Sequence, residues 1–426
     1  MAKRSETVRR SSQNIFVPII ATLANVLSYV LFLVAARLLD RATYGETLAL
    51  LNLILIATIP SFAIQTVIAR RTATGTVPFG AIRASLAVGF GGGAVIALCA
   101  PLIAGFLYID TNLGVYGAAL AVPALAVLGI ALGAAQGRLR WRWLCIALGL
   151  MGFGRVGGGM IGLLLTHDSS GALIGTGIGL SVAAALCLRE AVRMTYETPP
   201  TSPQRIRRFL HEVAYASHAH GAFLLLSSLD LVLARHVLSP EDAGLYAAGA
   251  VIFKAALWLP QPVSLMLFAD LSIVQRHRNT VRRGLLFVGG LATLTITAFL
   301  VLGNVAAFIV GGTNYSDLGS EAWLFAVAGA GFALTQFGLY AGLSMLRRGR
   351  LTFIWACVVG EVVASEVLGT GTTPRQFITV VAILSVATTV ASIIAALRYD
   401  PIKNPPRFSG APMDQAGTGV KITDPL

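Results

Sequence analysis

The chain has 426 residues, a mean hydropathy of +0.76, only 12% charged side chains and a formal net charge of +13 at pH 7. Apolar residues make up 56% of it, and its basic residues sit in short stretches between apolar runs, which excludes a soluble nucleic-acid binder and reads as anchoring against anionic lipid. Cys99, Cys145, Cys187 and Cys357 fall in or near apolar runs, as small packing residues do, so neither a disulfide framework nor a metal site is expected.

A helix needs about 20 residues to cross roughly 30 Å of hydrocarbon. Twelve segments meet that length, and together they predict an all-α polytopic membrane protein. The first four run near Ile15 to Ala36, Thr47 to Ala69, Ala84 to Leu107 and Val115 to Gln136. The next four run near Trp143 to Thr166, Gly171 to Leu188, Leu210 to Ala234 and Ala243 to Ala269. The last four run near Gly284 to Val310, Ala322 to Leu346, Leu351 to Leu368 and Phe377 to Leu397. The first segment is too long for a signal-peptide core and lacks a small-residue cleavage site, so it is expected to stay as a span.

Orientation follows from the basic residues. Lys3, Arg4, Arg9 and Arg10 place the N-terminal tail in the cytoplasm, and the even-numbered connections then lie on the same side. Of the 32 basic residues, 26 fall on that side, while only Arg37, Arg41, Arg235 and Arg375 fall on the other. Both termini are therefore expected inside. Arg71 reads here as one cytoplasmic anchor among many, whose charge reversal should matter little. Only four basic residues are lysine, which suggests a GC-rich bacterial genome and hence the inner membrane of a bacterium.

The two halves of the chain match each other. Ala36-Arg37 aligns with Ala234-Arg235, Gly45 with Gly244, and Ile59-Pro60 with Leu259-Pro260, at offsets drifting from 198 to 200. The small-residue helix end and arginine turn of Gly133 to Arg140 return at Gly342 to Arg350. Six spans per half is an even number, so both halves enter the membrane in one direction, as a parallel repeat about an axis along the membrane normal. The expected organisation is a basic cytoplasmic tail over 1–13, a six-helix lobe over 14–188, a linker over 189–209, a second lobe over 210–398 and a disordered tail over 399–426. The linker contains Thr198-Pro-Pro-Thr-Ser-Pro203, and the tail carries prolines at 401, 405, 406, 412 and 425. Two such lobes facing each other would form a central cleft, the usual setting for alternating access.

The turn Ala36-Arg37-Leu38-Leu39-Asp40-Arg41-Ala42-Thr43-Tyr44-Gly45 resembles the turn after the first helix of the oligosaccharide-lipid flippases. These form the polysaccharide-export branch of the superfamily they share with the multidrug and toxic compound extrusion transporters. The second half repeats the cue with Asp230 and then Leu238-Ser-Pro-Glu-Asp-Ala-Gly-Leu-Tyr-Ala-Ala248. The resemblance covers nearly the whole chain in helix number, length and repeat. Asp40 departs from the glycine common at that turn, and the first span offers Asn14 and Asn25 but no acid, unlike much of the drug-extruding branch. The resemblance implies two six-helix lobes forming a V-shaped cleft, and flipping of a saccharide linked to polyprenyl phosphate or pyrophosphate from the cytoplasmic to the outer leaflet, for cell-envelope polysaccharide biosynthesis. It also implies membrane lipid as a partner, with glycosyltransferases or a polysaccharide polymerase as neighbours. No cofactor, nucleic acid or catalytic residue is implied.

Such a carrier needs cations that can shelter a phosphate head group. Arg155 and Lys254 lie near the middle of the fifth and eighth spans, where a charge costs at least about 2.5 kcal/mol and must be compensated. Either they line the cleft and hold phosphate, or they pair internally with Asp230, Glu361 or Glu366. Those three carboxylates could instead carry a coupling ion. Arg37 and Arg235, at matching outer ends, could form a cationic exit or snorkel to lipid head groups. His218 and His220 read as hydrogen-bonded packing before a proton relay.

Other patterns mislead. Gly152-Phe-Gly-Arg-Val-Gly157 fits a dinucleotide fingerprint but lies inside an apolar helix, where glycines serve close packing. A drug or small-molecule antiporter shares the expected fold and is one alternative. A membrane glycosyltransferase using Asp40, Glu46 or Asp110 is another, although outer connections of about 4 to 11 residues leave little scaffold for an acceptor site.

Overall fold

The computed structural model describes residue 27 and residues 29–195, 203–260, 274–343, 349–369 and 371–398. The N-terminal tail, most of the first span with Asn14 and Asn25, the proline-rich part of the linker before Pro203, the stretch with Pro262, the turn with Arg347 and Arg348, and the tail from Asp400 lie outside the described residues. What is described is helical, with no strand among the described residues.

Helix α1 (Tyr29–Leu38) ends the first span. The second is α2 (Arg41–Ala57) with α3 (Ile59–Ala73), and the third is α4 (Ala81–Leu98) with α5 (Ala100–Phe106). Single helices make the next three: α6 (Leu113–Gly137), α7 (Trp141–Thr166) and α8 (Ser169–Met194). The second half opens with α9 (Pro203–Leu226) and α10 (Leu229–Val237), which meet at 48°. It continues through α11 (Pro240–Trp258), α12 (Val274–Gly311), a 3-10 segment (Gly312–Ser320), α13 (Ala322–Leu343), α14 (Gly349–Leu368) and α15 (Pro374–Leu397). Over its described residues each expected span overlaps one helix or one broken pair, and eight of these, or nine with the bent pair α9–α10, are long and apolar enough to cross a membrane.

The breaks have local causes. Pro60 and Pro101 sit in the first turns of α3 and α5, where proline lacks the N–H that would continue the preceding helix. Asp40 caps α2: its carboxylate accepts from the Thr43 backbone N–H at 3.0 Å and from the Thr43 hydroxyl at 2.7 Å. Burial alone would raise that carboxyl, but the hydrogen bonds from Thr43 outweigh it and hold Asp40 below the usual carboxylate range. The position that departs from the glycine of the flippase-like turn is thus a helix cap.

The halves are built alike. In both α6 and α13, the fourth span of each half, 83% of the most apolar stretch is buried inside the protein. The third spans, α4 and α12, keep most of their surface on the outside, with Leu98 81% and Leu286 78% exposed. A rim of that kind needs an apolar solvent. Within the first half, Gly154, Gly158 and Gly162 of α7 lie against Gly179, Gly175 and Gly171 of α8, so close that a Cβ on any of them would overlap the facing backbone. The fingerprint-like glycines therefore pack helices, although Gly157 faces open space.

The halves meet where α2 crosses α11, at the arginine-poor end. A Cβ on Gly45 would lie 2.8 Å from the Gly244 backbone nitrogen, and one on Gly244 would overlap the Arg41 carbonyl. Gly244→Val should therefore hold the arginine-poor ends apart. Spin labels at the exposed Leu38 and Ser316 would report a longer, broader distance distribution in the variant, and an unchanged one would show that this crossing does not govern closure.

Candidate functional site

Three ionisable side chains of the second half are buried together. Asp230 is 1% exposed, Lys254 4% and Glu361 3%. Asp230 owes its place to the break at Ser227 and Ser228, which starts α10 inside the bundle and turns the positive end of a half-helix toward the carboxylate. The Tyr246 hydroxyl donates to Asp230 Oδ2 at 3.0 Å, and its ring is held edge-on by Phe325 and Phe377, each 5.2 Å away between centroids. Lys254, on α11, has its ammonium 6.0 Å from the ring centres of Phe253 and Trp258.

These groups sense one another's charge without direct ion pairs. Lys254 interacts electrostatically with Asp230 and with Arg155 on α7 of the other half, and Asp230 with Glu361 on α14. None of the ion pairs among the described residues joins them. Asp230 Oδ1 and both Glu361 oxygens are buried with no hydrogen-bond partner among the described residues. Only the interaction of Asp230 with Lys254 is attractive; Lys254 meets Arg155, and Asp230 meets Glu361, as like charges. The unsatisfied carboxylate oxygens are acceptors oriented within the bundle for something that donates.

Arg37 and Arg235 lie elsewhere. Arg37 donates to the Ile309 carbonyl at 3.2 Å, from the first half to the second. Arg235, 5% exposed, donates to Leu107 and Tyr108 at 3.0 and 3.2 Å, from the second half to the first. Both satisfy carbonyls at the end of the partner half's third span, so the two ties are reciprocal. Arg41 adds a third through the Asn314 carbonyl and Asp317, beside the buried, edge-on pair Tyr44 and Tyr315. The arginine-poor end is sealed by these contacts. Glu366 is exposed and faces His236 at 3.8 Å, away from Lys254.

At the arginine-rich end Arg71 is not a lipid anchor, contrary to the expectation from its position. Its guanidinium, 12% exposed, binds Glu212 of α9 through Nε at 3.0 Å and Nη2 at 2.9 Å, and Arg70 adds a third contact at 2.6 Å. The physical reason lies in α9, which brings a carboxylate alongside the last turn of α3.

Other candidates have local duties. His218 stacks on Trp355 at 5.4 Å, and His220 faces the Thr66 hydroxyl at 3.4 Å. Glu46 accepts from the Ser169 hydroxyl, and Asp40 is the α2 cap. No group of three or more His, Cys, Asp or Glu among the described residues could hold a metal ion. A seam that apolar patterning hides joins α13 to α15: Thr335 contacts Thr388 and Thr389, while Ser385 and Thr389 donate to the Ala328 and Gly331 carbonyls.

No protein-family model matches the sequence, and neither does any curated protein sequence. Solved structures do match in fold. Lipid II flippase MurJ in an inward closed conformation superposes with a TM-score of 0.65 at 11% identity, over 90% of this chain and 88% of that one. An inward-facing multidrug resistance MATE family transporter of the MOP superfamily gives 0.65 at 12%, over 90% and 97%. A MOP superfamily transporter from Pyrococcus furiosus gives 0.60 at 12%, over 93% and 94%. The fold is thus one that these flippase and transporter structures share. Within it the buried charges should be energetically linked: Lys254→Met and Asp230→Asn should each destabilise the protein, and the double variant by less than their sum, with a coupling of about 1 kcal/mol. Thermal unfolding in detergent measures this, and strict additivity would mean that each charge is compensated elsewhere.

Proposed function

We propose that the chain is a transporter that carries a saccharide on polyprenyl phosphate or pyrophosphate from the inner to the outer leaflet by alternating access. Lys254 and Arg155 support this reading best: one cation comes from each half, they lie within reach of each other's charge, and the fold is shared with a lipid II flippase. Two like charges brought together inside a membrane repel unless an anion sits with them. A phosphate or diphosphate meets that requirement, with arginine as a fork and lysine as a point charge.

The arginine-rich end is taken as cytoplasmic, so that both termini are inside and the sealed arginine-poor end faces out, in a bacterial inner membrane. Glycosyltransferases would complete the saccharide on the cytoplasmic side, and a polymerase or transferase would consume it outside. Asp230 and Glu361 serve as charge balance for the empty carrier or as the seat of a coupling ion. The superposition on a multidrug transporter keeps export of a drug or small molecule as the second reading.

Depletion of the protein should cause a complete lipid-linked saccharide to accumulate, seen by mass spectrometry of extracted polyprenyl lipids. A truncated saccharide would point to a transferase, and an unchanged profile to the second reading. In depleted cells Lys254→Ala and Arg155→Ala should each fail to restore export at unchanged protein level. Normal export in both would sink the cationic-cavity mechanism.

A further inference from the structure

At the arginine-rich end a cavity of about 450 Å³ opens between the end of α3 and the first turns of α9, lined by Arg70, Arg71, Thr74, Thr76, Arg208 and Glu212. Three guanidiniums face one carboxylate there. Glu212 lies on Arg71 in the two-point fork by which guanidinium also receives phosphate, and it shares Oε2 with Arg70. Arg71 is preset for this geometry: its Nη1 donates to the Thr76 carbonyl at 3.1 Å, and its guanidinium lies 5.9 Å from the Phe209 ring centre. Arg208, one helical turn before Glu212, lines the same cavity and forms no ion pair among the described residues.

Glu212 belongs to the second half and both its arginines to the first, so this is the one inter-half ion-pair cluster at the arginine-rich end among the described residues.

We infer that this cavity is a docking site for a diphosphate ester presented at the membrane surface, and that Glu212 occupies it as a built-in substitute for the ligand. A diphosphate ester carries at least two negative charges to the carboxylate's one and can satisfy Arg208 as well as the pair that Glu212 holds. Its arrival displaces Glu212 and releases the tie between α3 and α9. Because α9 leads directly into α10, the released helix is the one whose continuation bears Asp230. Identification of the ligand as a lipid-linked substrate rests on the proposed function; the anion chemistry of the site does not.

The test uses the full-length protein in nanodiscs of phosphatidylcholine, with farnesyl diphosphate and inorganic diphosphate as probes and a parallel set of discs containing phosphatidylglycerol. Displacement predicts opposite signs for the two sides of the clasp. Glu212→Gln should bind farnesyl diphosphate about tenfold more tightly, and Arg71→Gln about tenfold more weakly, as the gain or loss of a charged hydrogen bond would give. Arg208→Gln should also bind more weakly while leaving the Glu212 clasp intact, which keeps the test decisive should a clasp variant misfold. Equal competition by inorganic diphosphate would support the site with a free anion as its ligand. Loss of farnesyl diphosphate binding only in phosphatidylglycerol discs would overturn it, because an ordinary phospholipid head group is a phosphodiester with no more charge than Glu212. Shifts of the same sign in Glu212→Gln and Arg71→Gln, or no shift in all three variants, would overturn it. Depletion and lipid mass spectrometry test the transport reading separately, so either can fail alone.

Discussion

The two halves touch backbone to backbone where Gly45 meets Gly244, and the remaining contacts at that end follow from this approach. With no side chain between them, α2 and α11 come close enough for Arg37 and Arg235 to reach the carbonyls of the opposite half. The same approach lets Arg41 reach the 3-10 segment between α12 and α13. An arginine at a membrane helix end ordinarily extends into the head-group region. Here it is drawn into the seam because helix-end carbonyls without partners are the stronger demand. Reciprocity is what a parallel repeat requires: one tie built by Arg37 implies a second by its counterpart, and Arg235 supplies it.

The charges inside the bundle obey a different constraint. A lone lysine or aspartate at this depth is costly, and Asp230 and Lys254 offset each other within a set that also includes Glu361 and Arg155. The set is loose, since three carboxylate oxygens lack hydrogen-bond partners among the described residues. A tight ion pair would be a better device for stability alone. Loosely held opposite charges shared between two moving halves are better suited to exchanging partners with a cargo or an ion, which is why they carry the proposed mechanism.

Much of this was legible in the sequence because hydrophobic length and arginine placement act locally. Segments of about 20 apolar residues became helices, and the offsets near 200 marked the positions that later proved reciprocal. The buried charges were also visible as ions in apolar runs. What stayed hidden depends on contacts between distant segments. Nothing in Arg71 distinguishes it from its neighbours until α9 delivers Glu212, 141 residues away. Tyr246 looked like part of a repeated turn and is a hydrogen-bond donor to Asp230, and the serines and threonines of α15 gave no signal against their apolar background. The signal available for Glu212 was its place as a lone acid just after the basic stretch from Arg205 to Arg208.

The two ends of the molecule are closed by different chemistry, and this gives the proposed transport cycle a direction. At the arginine-poor end, arginines bind mostly neutral carbonyls, which water or a lipid phosphate can replace with little selectivity. At the other, a carboxylate holds a guanidinium fork that a phosphate can contest directly. A carrier of this kind needs two states within a few kcal/mol of each other, with a ligand that binds one better than the other. An anion competing with Glu212 acts on one end only, so its arrival weakens one closure and leaves the Gly45 to Gly244 crossing untouched. That asymmetry, and not the strength of any single contact, allows one end to open while the other remains shut.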